Sequence, residues 1–476
     1  MNARKIHFKD ISAETDYPKE PTIRGRTSPP MSTLAPPQLS AHMAARQPSA
    51  IRVASIKFAQ RTDATKALNV AIGNVSLPMH KAMAERLAVL GQTGSPLGDG
   101  IVRYTATVGT DECISAFKSV IAASLPSARA ADAEKLHVQI TDGGSQAMEL
   151  LILACCGAPG SDELPLLLID AAYTNYLAFA ERLGRKVVSV RRELTPDGRF
   201  PLPDLATLEA AFEKHRPGAA VIIPFDNPTG ALYRREDLIT LGRLCVKHNC
   251  WLVSDEAYRE LHYTGEETPS VWALSDHDVP GIEGRRLGIE TASKVWNACG
   301  LRIGALVTDS ALLHAQCVAE NTASLCPSTI GQSVFGALGA EKREDLQAWF
   351  AQQRAYYKPM VEGFHNSMKE ALPGCIVSRP EASIYSVIDV RSMVDERFDS
   401  LEFVLWCASV GKVETDDGPM TLLVAPMGGF YDTSEFPDNP GRTQFRVAFV
   451  EPPAVMAKVP TLFAKLFRQY LDQELS

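Results

Sequence analysis

The stretch Thr291–Gly304, TASKVWNACGLRIG, contains a lysine and an arginine whose side chains and spacing suit the binding of a reactive cofactor. Lys294 carries an unbranched primary amine, which can form a Schiff base with an aldehyde. Arg302 follows eight positions later, and its guanidinium can pair with a phosphate through two hydrogen bonds. Pyridoxal 5′-phosphate (PLP) offers both an aldehyde and a phosphate. The two residues therefore predict a PLP site if the rest of the chain supplies the other partners of the ring.

A second stretch predicts a strand, a tight turn and a helix that could bind the phosphate. The strand-like run Leu136–Ile140 is followed by TDGGSQAMELLILACC. Gly143 and Gly144 permit a tight turn, and the free N–H groups at the start of a helix attract an anion. Ser145 and Gln146 could add side-chain donors. Many turns of this type only begin a helix, so this stretch alone leaves the ligand open.

Further candidates stand where predicted strands end. The apolar run Leu164–Asp170 predicts a buried parallel strand, and Tyr173 follows it, where a ring could stack on a flat ligand. Two more predicted strands, Ala219–Pro224 and Trp251–Val253, run into FDNPTG and SDEAYREL. Strands alternate with helices from about residue 100 to residue 310. This alternation predicts an open parallel sheet that binds a ligand at the edge where its strands end.

Composition limits the classes of function. The chain has 476 residues, 45% of them hydrophobic and 22% charged, which is ordinary for a globular protein. A net charge of −8 does not favour nucleic acid or an anionic membrane as partner, and no apolar run reaches the roughly 18 residues that span a bilayer. The ten cysteines are scattered without a C-x-x-C pair, and no secretory signal is visible. We expect reduced cysteines, no metal site and a cytoplasmic location.

Taken in order, the motifs GGSQ, DNPTG, SDEAYREL, TASKVWNACGLRIG and FRVAF resemble those of the fold-type I PLP-dependent enzymes, in the class I/II aminotransferase family. The resemblance runs from about Leu68 to near the C-terminus. It implies PLP as cofactor and a homodimer with shared active sites. We expect an α/β fold: a three-layer sandwich with a mostly parallel sheet in a large PLP-binding domain, plus a smaller α+β domain.

The expected domains follow from this fold and from composition. The large domain is expected at residues 99–325, and the smaller one is expected to combine residues 61–98 with residues 326–476. Residues 1–60 contain Pro-rich segments such as PTIRGRTSPP and APPQLS. They predict an N-terminal arm that is flexible or crosses onto a partner subunit.

The resemblance also implies a role for each residue around the ring. Lys294 would form the Schiff base and then move the proton at the substrate Cα. Asp255 would pair with the pyridine nitrogen and keep it protonated. Tyr258 and Asn227 would hydrogen-bond the phenolic oxygen, and Tyr173 would stack on the ring face.

Other implied roles concern the phosphate and the substrate. The implied phosphate ligands are Gly144, Ser145, Gln146, Thr291 and Arg302. Tyr104 resembles the tyrosine that reaches the phosphate of the neighbouring subunit's cofactor. Arg446 would bind the α-carboxylate of the substrate, with Gly73 and Asn227 beside the same group.

The first functional hypothesis is an aminotransferase of amino acid metabolism that moves an amino group from an L-α-amino acid to a 2-oxo acid. The alternative is a PLP-dependent β- or γ-elimination, replacement or C–C bond-forming enzyme, for example one acting on S-adenosylmethionine, because fold and cofactor do not fix the reaction. A third hypothesis is a non-catalytic PLP-binding regulator. The acidic charge and the lack of a predicted DNA-binding domain disfavour it.

Overall fold

The structure is a computed structural model that describes residues 37–158, 160, 163–434, 436 and 438–474. Most of the predicted N-terminal arm, residues 1–36, lies outside the described residues. The chain divides into two compact units, Met1–Gln47 and Pro48–Ser476. In the first unit the described residues form one short helix, whose N-terminal Ser40 hydroxyl accepts a hydrogen bond from the Met43 N–H.

The described residues form α-helices and β-strands that we number in chain order. The helices are α1 (Ala41–Ala45), α2 (Ala50–Ala59), α3 (Lys81–Val89), α4 (Asp111–Ser124), α5 (Gly143–Cys155), α6 (Asn175–Arg182), α7 (Leu205–His215), α8 (Arg235–Lys247), α9 (Ala311–Glu320), α10 (Thr329–Gly336), α11 (Arg343–Ala371), α12 (Ser400–Ser409), α13 (Pro453–Met456) and α14 (Val459–Glu474). The strands are β1 (Lys66–Asn69), β2 (His137–Thr141), β3 (Leu166–Asp170), β4 (Val187–Arg191), β5 (Ala219–Ile222), β6 (Trp251–Asp255), β7 (Arg286–Thr291), β8 (Gly304–Thr308), β9 (Ile376–Val377), β10 (Tyr385–Asp389), β11 (Val413–Thr415), β12 (Gly418–Leu423), β13 (Ala425–Pro426) and β14 (Gln444–Ala448).

The large sheet has seven strands in the order β2-β8-β7-β6-β5-β3-β4. Neighbouring strands are parallel except that β8 runs antiparallel to both β2 and β7. Every residue of β3, β5 and β7 is buried, so both faces of the sheet are covered. This confirms the prediction of an α/β sandwich with a mostly parallel sheet.

The register brings the loops that follow the strands to one edge of this sheet. Asp255, the last residue of β6, pairs with Ile289 near the end of β7. Lys294 follows β7 by three residues, and Tyr173 follows the end of β3 by three residues. Residues that are far apart in the chain therefore meet where the strands end.

A smaller part of the second unit contains two further sheets. One is antiparallel with the order β13-β14-β10-β9, and the other has the order β1-β12-β11 with β1 parallel to β12. Helix α14 packs on β12 and on α11, and helix α2 packs on α12. The predicted α+β character of this part is confirmed. The predicted domain boundaries at residues 60, 98 and 325 stay predictions.

Two differences from the predicted elements have a physical reason. The last helix, predicted over Pro453–Leu475, is divided into α13 and α14. Pro460 stands in the first turn of α14, where its missing N–H costs no helical hydrogen bond. Helix α2 lies inside the predicted arm, and its Ala54 is buried in the core of the second unit.

Among the described residues, no helix is both long and apolar enough to cross a bilayer.

Candidate active site

A cavity of about 150 Å³ opens at the edge where β6 and β7 end. It brings together nine of the predicted site residues: Gly144, Ser145, Tyr173, Asn227, Asp255, Tyr258, Thr291, Lys294 and Arg302. The other lining residues are Met148, Tyr176, Phe179, Ile223, Ala257, Ser293 and Cys299. Four predicted residues, Gly73, Tyr104, Gln146 and Arg446, do not line this cavity.

Gly73 nevertheless contacts the candidate lysine. The Lys294 ammonium donates a hydrogen bond to the Gly73 carbonyl. A Cβ atom at position 73 would overlap the Tyr385 hydroxyl and would lie 3.0 Å from Lys294 Nζ. The absence of a side chain at this position therefore makes room for the amine and for the tyrosine hydroxyl.

Asp255 is half-buried, and its carboxyl lacks a cationic partner. Its Oδ2 accepts a hydrogen bond of 2.6 Å from the Tyr176 hydroxyl, and its Oδ1 accepts one of 3.0 Å from the Ala257 N–H. Burial raises the pKa of Asp255 to about 6, although both hydrogen bonds act in the opposite direction. No Lys, Arg or His of the described chain forms an ion pair with Asp255. A protonated ring nitrogen would supply the missing positive charge.

A second group of residues at the cavity is suited to an anion. Helix α5 begins at Gly143, which has a φ of 74°, and no described side chain caps its first turn. A Cβ at Gly143 would lie 2.5 Å from Arg302 Nη2, so this glycine lets the guanidinium approach the helix N-terminus. The Thr291 and Ser293 hydroxyls share a hydrogen bond of 2.7 Å nearby. Helix N–H groups, a guanidinium and hydroxyls form a donor set that fits a phosphate.

Gln146 and Tyr104 lie apart from this group. The Gln146 side chain accepts a hydrogen bond of 2.8 Å from the Asp142 N–H and donates one of 3.0 Å to Asn321 Oδ1. In the described structure its amide therefore stabilises the start of α5. The Tyr104 side chain is 79% exposed. The roles predicted for these two residues stay predictions.

Arg446 lies on β14 and is only 4% exposed. Its Nη1 donates to Asn227 Oδ1 at 2.9 Å, and its Nη2 donates to the Ala71 carbonyl at 2.7 Å. Its Nε is buried and has no hydrogen-bond partner among the described residues. The guanidinium lies 4.4 Å from the centroid of the Tyr385 ring and 5.1 Å from that of Phe430. An unpaired buried N–H in aromatic surroundings favours binding of a carboxylate.

The hydroxyl of Tyr258 has two polar neighbours. Asn227 Nδ2 donates to the Tyr258 hydroxyl at 3.3 Å, and the Tyr258 and Tyr385 hydroxyl oxygens lie 2.8 Å apart. Burial is the main cause that raises the pKa of Tyr258 well above its ordinary value, so this hydroxyl keeps its proton at physiological pH.

Two residues of this site, Tyr176 and Tyr385, were not among the predicted residues. Tyr176 stands three positions after Tyr173 across the start of α6, a spacing that places two side chains on one side of a helix and could have indicated it. Tyr385 begins β10 and is a diagonal neighbour of Arg446 on the same face, because Val387 pairs with Arg446 and Tyr385 pairs with Ala448. Nothing in the sequence indicates how this sheet meets the Lys294 loop.

The donor set fits PLP. The cavity offers an amine for its aldehyde, a carboxyl without a cation for its ring nitrogen, a tyrosine ring for its face and an anion site for its phosphate. These groups lie in the same cavity, as one rigid cofactor requires.

Comparison with known proteins gives the same result. The family model "Aminotransferase class I and II" matches residues 65–404. Aspartate/prephenate aminotransferase of Thermus thermophilus is 27% identical over 299 residues, which cover 60% of this chain and 71% of that protein. Arginine–pyruvate transaminase AruH of Pseudomonas aeruginosa is 27% identical over 270 residues, which cover 56% of this chain and 62% of that protein.

Solved structures share the fold. N-succinyldiaminopimelate aminotransferase from Mycobacterium tuberculosis aligns with a TM-score of 0.72 and 20% identity, covering 90% of this chain and all of that one. A mutant of Thermus thermophilus aspartate aminotransferase aligns with a TM-score of 0.71 and 21% identity, at the same coverage of this chain. Since the family model spans more than half of the sequence, the chain belongs to the class I and II aminotransferases and is a PLP-dependent transferase.

Proposed function

We propose that the protein moves the amino group of an L-α-amino acid to a 2-oxo acid, with Lys294 as the residue that transfers the proton at the substrate Cα. The observation that carries this proposal is that Lys294 and Arg446 contact the same loop. The Lys294 amine contacts the Gly73 carbonyl, and Gly73 belongs to the loop whose Ala71 carbonyl accepts a hydrogen bond from Arg446. The proton carrier and the candidate carboxylate ligand therefore meet at one loop.

PLP, when bound, supplies an aldehyde that links to amines and a ring that withdraws electrons from the substrate Cα. Asp255 is proposed to hold the proton on the ring nitrogen, since its poorly solvated carboxylate gains a cationic partner in this way. Tyr258 and Asn227 are proposed to donate to the phenolic oxygen, and Tyr173 to cover one face of the ring. The start of α5, with Thr291 and Arg302, is proposed to bind the phosphate.

Arg446 is proposed to orient the substrate through its α-carboxylate. Its two Nη groups are held by Asn227 and Ala71, so the guanidinium is fixed before the substrate arrives. With the carboxylate fixed there, the Cα–H bond can face the Lys294 amine. With PLP bound, Lys294 would accept the proton from the substrate Cα and could release it again within the same cavity, which is the proton movement that transamination requires.

The relatives bear names that refer to aspartate, prephenate, arginine and pyruvate. These substrates differ in their side chains but share an α-carboxylate. We therefore propose α-amino acids as the donor class. Assays with a panel of amino acids would determine which side chain the enzyme prefers.

We further propose a homodimer in which Tyr104 reaches the cofactor phosphate of the partner subunit. The proposal is supported by the exposure of Tyr104 and of the neighbouring apolar side chains Ile101 and Val102, which are 50% and 58% exposed. A hybrid of Tyr104→Phe and Lys294→Ala subunits tests it. In this hybrid the Tyr104→Phe subunit keeps its Lys294, and the Lys294→Ala subunit keeps its Tyr104. If Tyr104 acts across the dimer, the site with the intact lysine receives a tyrosine from the other subunit and should bind PLP as the wild type does. If that site binds PLP as weakly as the Tyr104→Phe homodimer, Tyr104 acts within its own subunit.

A cytoplasmic location and a role in biosynthesis complete the proposal. All ten cysteines are free thiols and eight of them are buried, which supports a reducing compartment.

The activity is tested by mixing the holoenzyme, without any acceptor, with single L-amino acids. We expect the absorbance of the lysine-linked cofactor to disappear and one equivalent of a 2-oxo acid to form per site. Lys294→Ala is the control and should form none. Release of methylthioadenosine from S-adenosylmethionine, or of ammonia in many turnovers, would instead establish the elimination or replacement alternative.

A further inference from the structure

Asn227 and Tyr258, which line the cavity, form a closed ring of contacts with Arg446 and Tyr385 behind it. Arg446 donates to Asn227 at 2.9 Å, Asn227 donates to Tyr258 at 3.3 Å, and Tyr258 shares a 2.8 Å hydrogen bond with Tyr385. The ring closes because the Arg446 guanidinium lies 4.4 Å from the centroid of the Tyr385 ring. Tyr385 is the one member to which no role has been given above.

The hydrogen-bond capacity of Tyr258 makes the role of Tyr385 specific. A phenol has one proton to donate and accepts hydrogen bonds on its oxygen. When Tyr258 donates its proton to a ligand oxygen, it can only accept hydrogen bonds from Asn227 and from Tyr385. The Asn227 amide already donates to it, so Tyr385 must donate the remaining bond.

We propose that Tyr385 is a positioning residue whose hydroxyl directs the Tyr258 proton to the phenolic oxygen of the cofactor and so lowers the pH at which the Lys294-linked cofactor loses its proton. This inference rests on the function proposed above, in which Tyr258 donates to that oxygen. A hydrogen bond from Tyr385 makes Tyr258 a stronger donor, because hydrogen bonds in a chain polarise one another. The stronger donor withdraws charge from the phenolic oxygen, which then holds the neighbouring protonated nitrogen less strongly.

The position of Tyr385 keeps its hydroxyl within hydrogen-bond distance of Tyr258. Tyr385 is 2% exposed, and its hydroxyl reaches the space above Gly73, where Lys294 Nζ also lies. In the described structure the Tyr385 hydroxyl is hydrogen-bonded to Tyr258, whereas the Lys294 amine is hydrogen-bonded to the Gly73 carbonyl. The charged and titratable groups around it are Tyr173, Tyr258, Lys294, Tyr357 and Arg446.

The substitution Tyr385→Phe removes the hydroxyl and keeps the ring that faces Arg446. We expect the pH midpoint of the absorbance change of the bound cofactor to rise by roughly one pH unit. At neutral pH kcat should fall about fivefold to tenfold, while KM for the donor stays within about twofold, since the guanidinium keeps its contacts. The matched control is Tyr431→Phe, which removes a buried tyrosine hydroxyl that donates to Gln444 at 2.7 Å outside the cavity. Its midpoint should equal that of the wild type.

A double substitution shows whether Tyr385 acts through Tyr258. Tyr258→Phe alone should raise the midpoint further than Tyr385→Phe, and the double variant should match Tyr258→Phe, because the second hydroxyl then has no phenol to direct. An unchanged midpoint in Tyr385→Phe, or additive shifts in the double variant, would overturn the inference. If the wild type itself binds no PLP at Lys294 or forms no 2-oxo acid, the proposed function fails, which is a separate result.

Discussion

The substitution Asp255→Asn should stabilise the cofactor-free protein at pH 8 and at the same time weaken its binding of PLP. Asp255 is half-buried at the cavity, and its carboxyl accepts hydrogen bonds from the neutral Tyr176 hydroxyl and Ala257 N–H. An asparagine carbonyl can accept one of these bonds but cannot ionise. The substitution therefore removes a poorly solvated charge at little cost in contacts.

The magnitude follows from the difference in pKa between the unfolded and folded chains. Burial raises the pKa of Asp255 from 3.8 to about 6, a difference of about two pH units. Each unit corresponds to about 1.4 kcal/mol, so the ionised carboxylate destabilises the folded, cofactor-free protein by about 3 kcal/mol at pH 8. Between these two pKa values the folded chain binds more protons than the unfolded chain. The cost is thus absent below about pH 4 and increases as the pH rises through 6.

Urea denaturation of the cofactor-free wild type and of Asp255→Asn at pH 5 and pH 8 measures this effect. The variant should be more stable by up to about 3 kcal/mol at pH 8 and by about half as much at pH 5. Other buried acids, such as Asp170 and Glu290, also have pKa values that burial raises to about 7. Their contributions to the free energy of unfolding cancel when the two proteins are compared at the same pH. A titration with PLP should show roughly 10- to 100-fold weaker binding by the variant, because a charge-assisted hydrogen bond is lost.

Two results would refute this reasoning. Equal stability of the two proteins at pH 8 would mean that the folded protein does not destabilise the Asp255 charge. An equal gain at pH 5 and pH 8 would mean that the gain comes from packing. In either case Asp255 would lack the property that suits it to a protonated ring nitrogen.

Three further substitutions test other parts of the site. Lys294→Ala should abolish 2-oxo acid formation while circular dichroism and the unfolding midpoint stay close to the wild type; normal turnover would show that the lysine is misassigned. Arg446→Lys should lower kcat/KM for the amino donor by roughly 50-fold or more, chiefly through KM, because an ammonium cannot replace the paired N–H donors of a guanidinium. Steady-state kinetics that equal those of the wild type would rule out the carboxylate role of Arg446. Gly73→Ala should lower kcat about tenfold or more, because the new methyl group overlaps the Tyr385 hydroxyl and crowds Lys294. Gly91→Ala should leave kcat unchanged, because beyond the adjacent residues the added Cβ has no neighbour within 4 Å in the described structure.

The parts of the site that follow strands could be predicted from the sequence. Lys294, Asp255 and Tyr173 stand just after or at the end of a buried strand, and the ends of parallel strands meet at one edge whatever the details of packing. The α/β sandwich could also be predicted, because continuous apolar runs in the sequence identify strands that are covered on both faces.

Contacts between separate parts of the fold could not be predicted in this way. Tyr385 reaches Tyr258 across 127 positions of sequence, and Arg446 reaches Asn227 across 219. Such contacts depend on how the smaller sheet packs against the loops of the larger one, and no local pattern records that packing. The amide of Gln146 is a second example, since a hydrogen bond to Asn321, in the turn after α9, decides where it points.

The central claim is that PLP binds in the cavity at Lys294. Reduction of the holoenzyme with borohydride makes the bond between the cofactor and its lysine permanent, and peptide mass spectrometry then locates it. We predict one modified lysine per chain, Lys294, and protection of this residue from modification when an amino acid donor is added first. A cofactor attached to any other lysine, or a protein that carries no cofactor after incubation with PLP, would contradict the account.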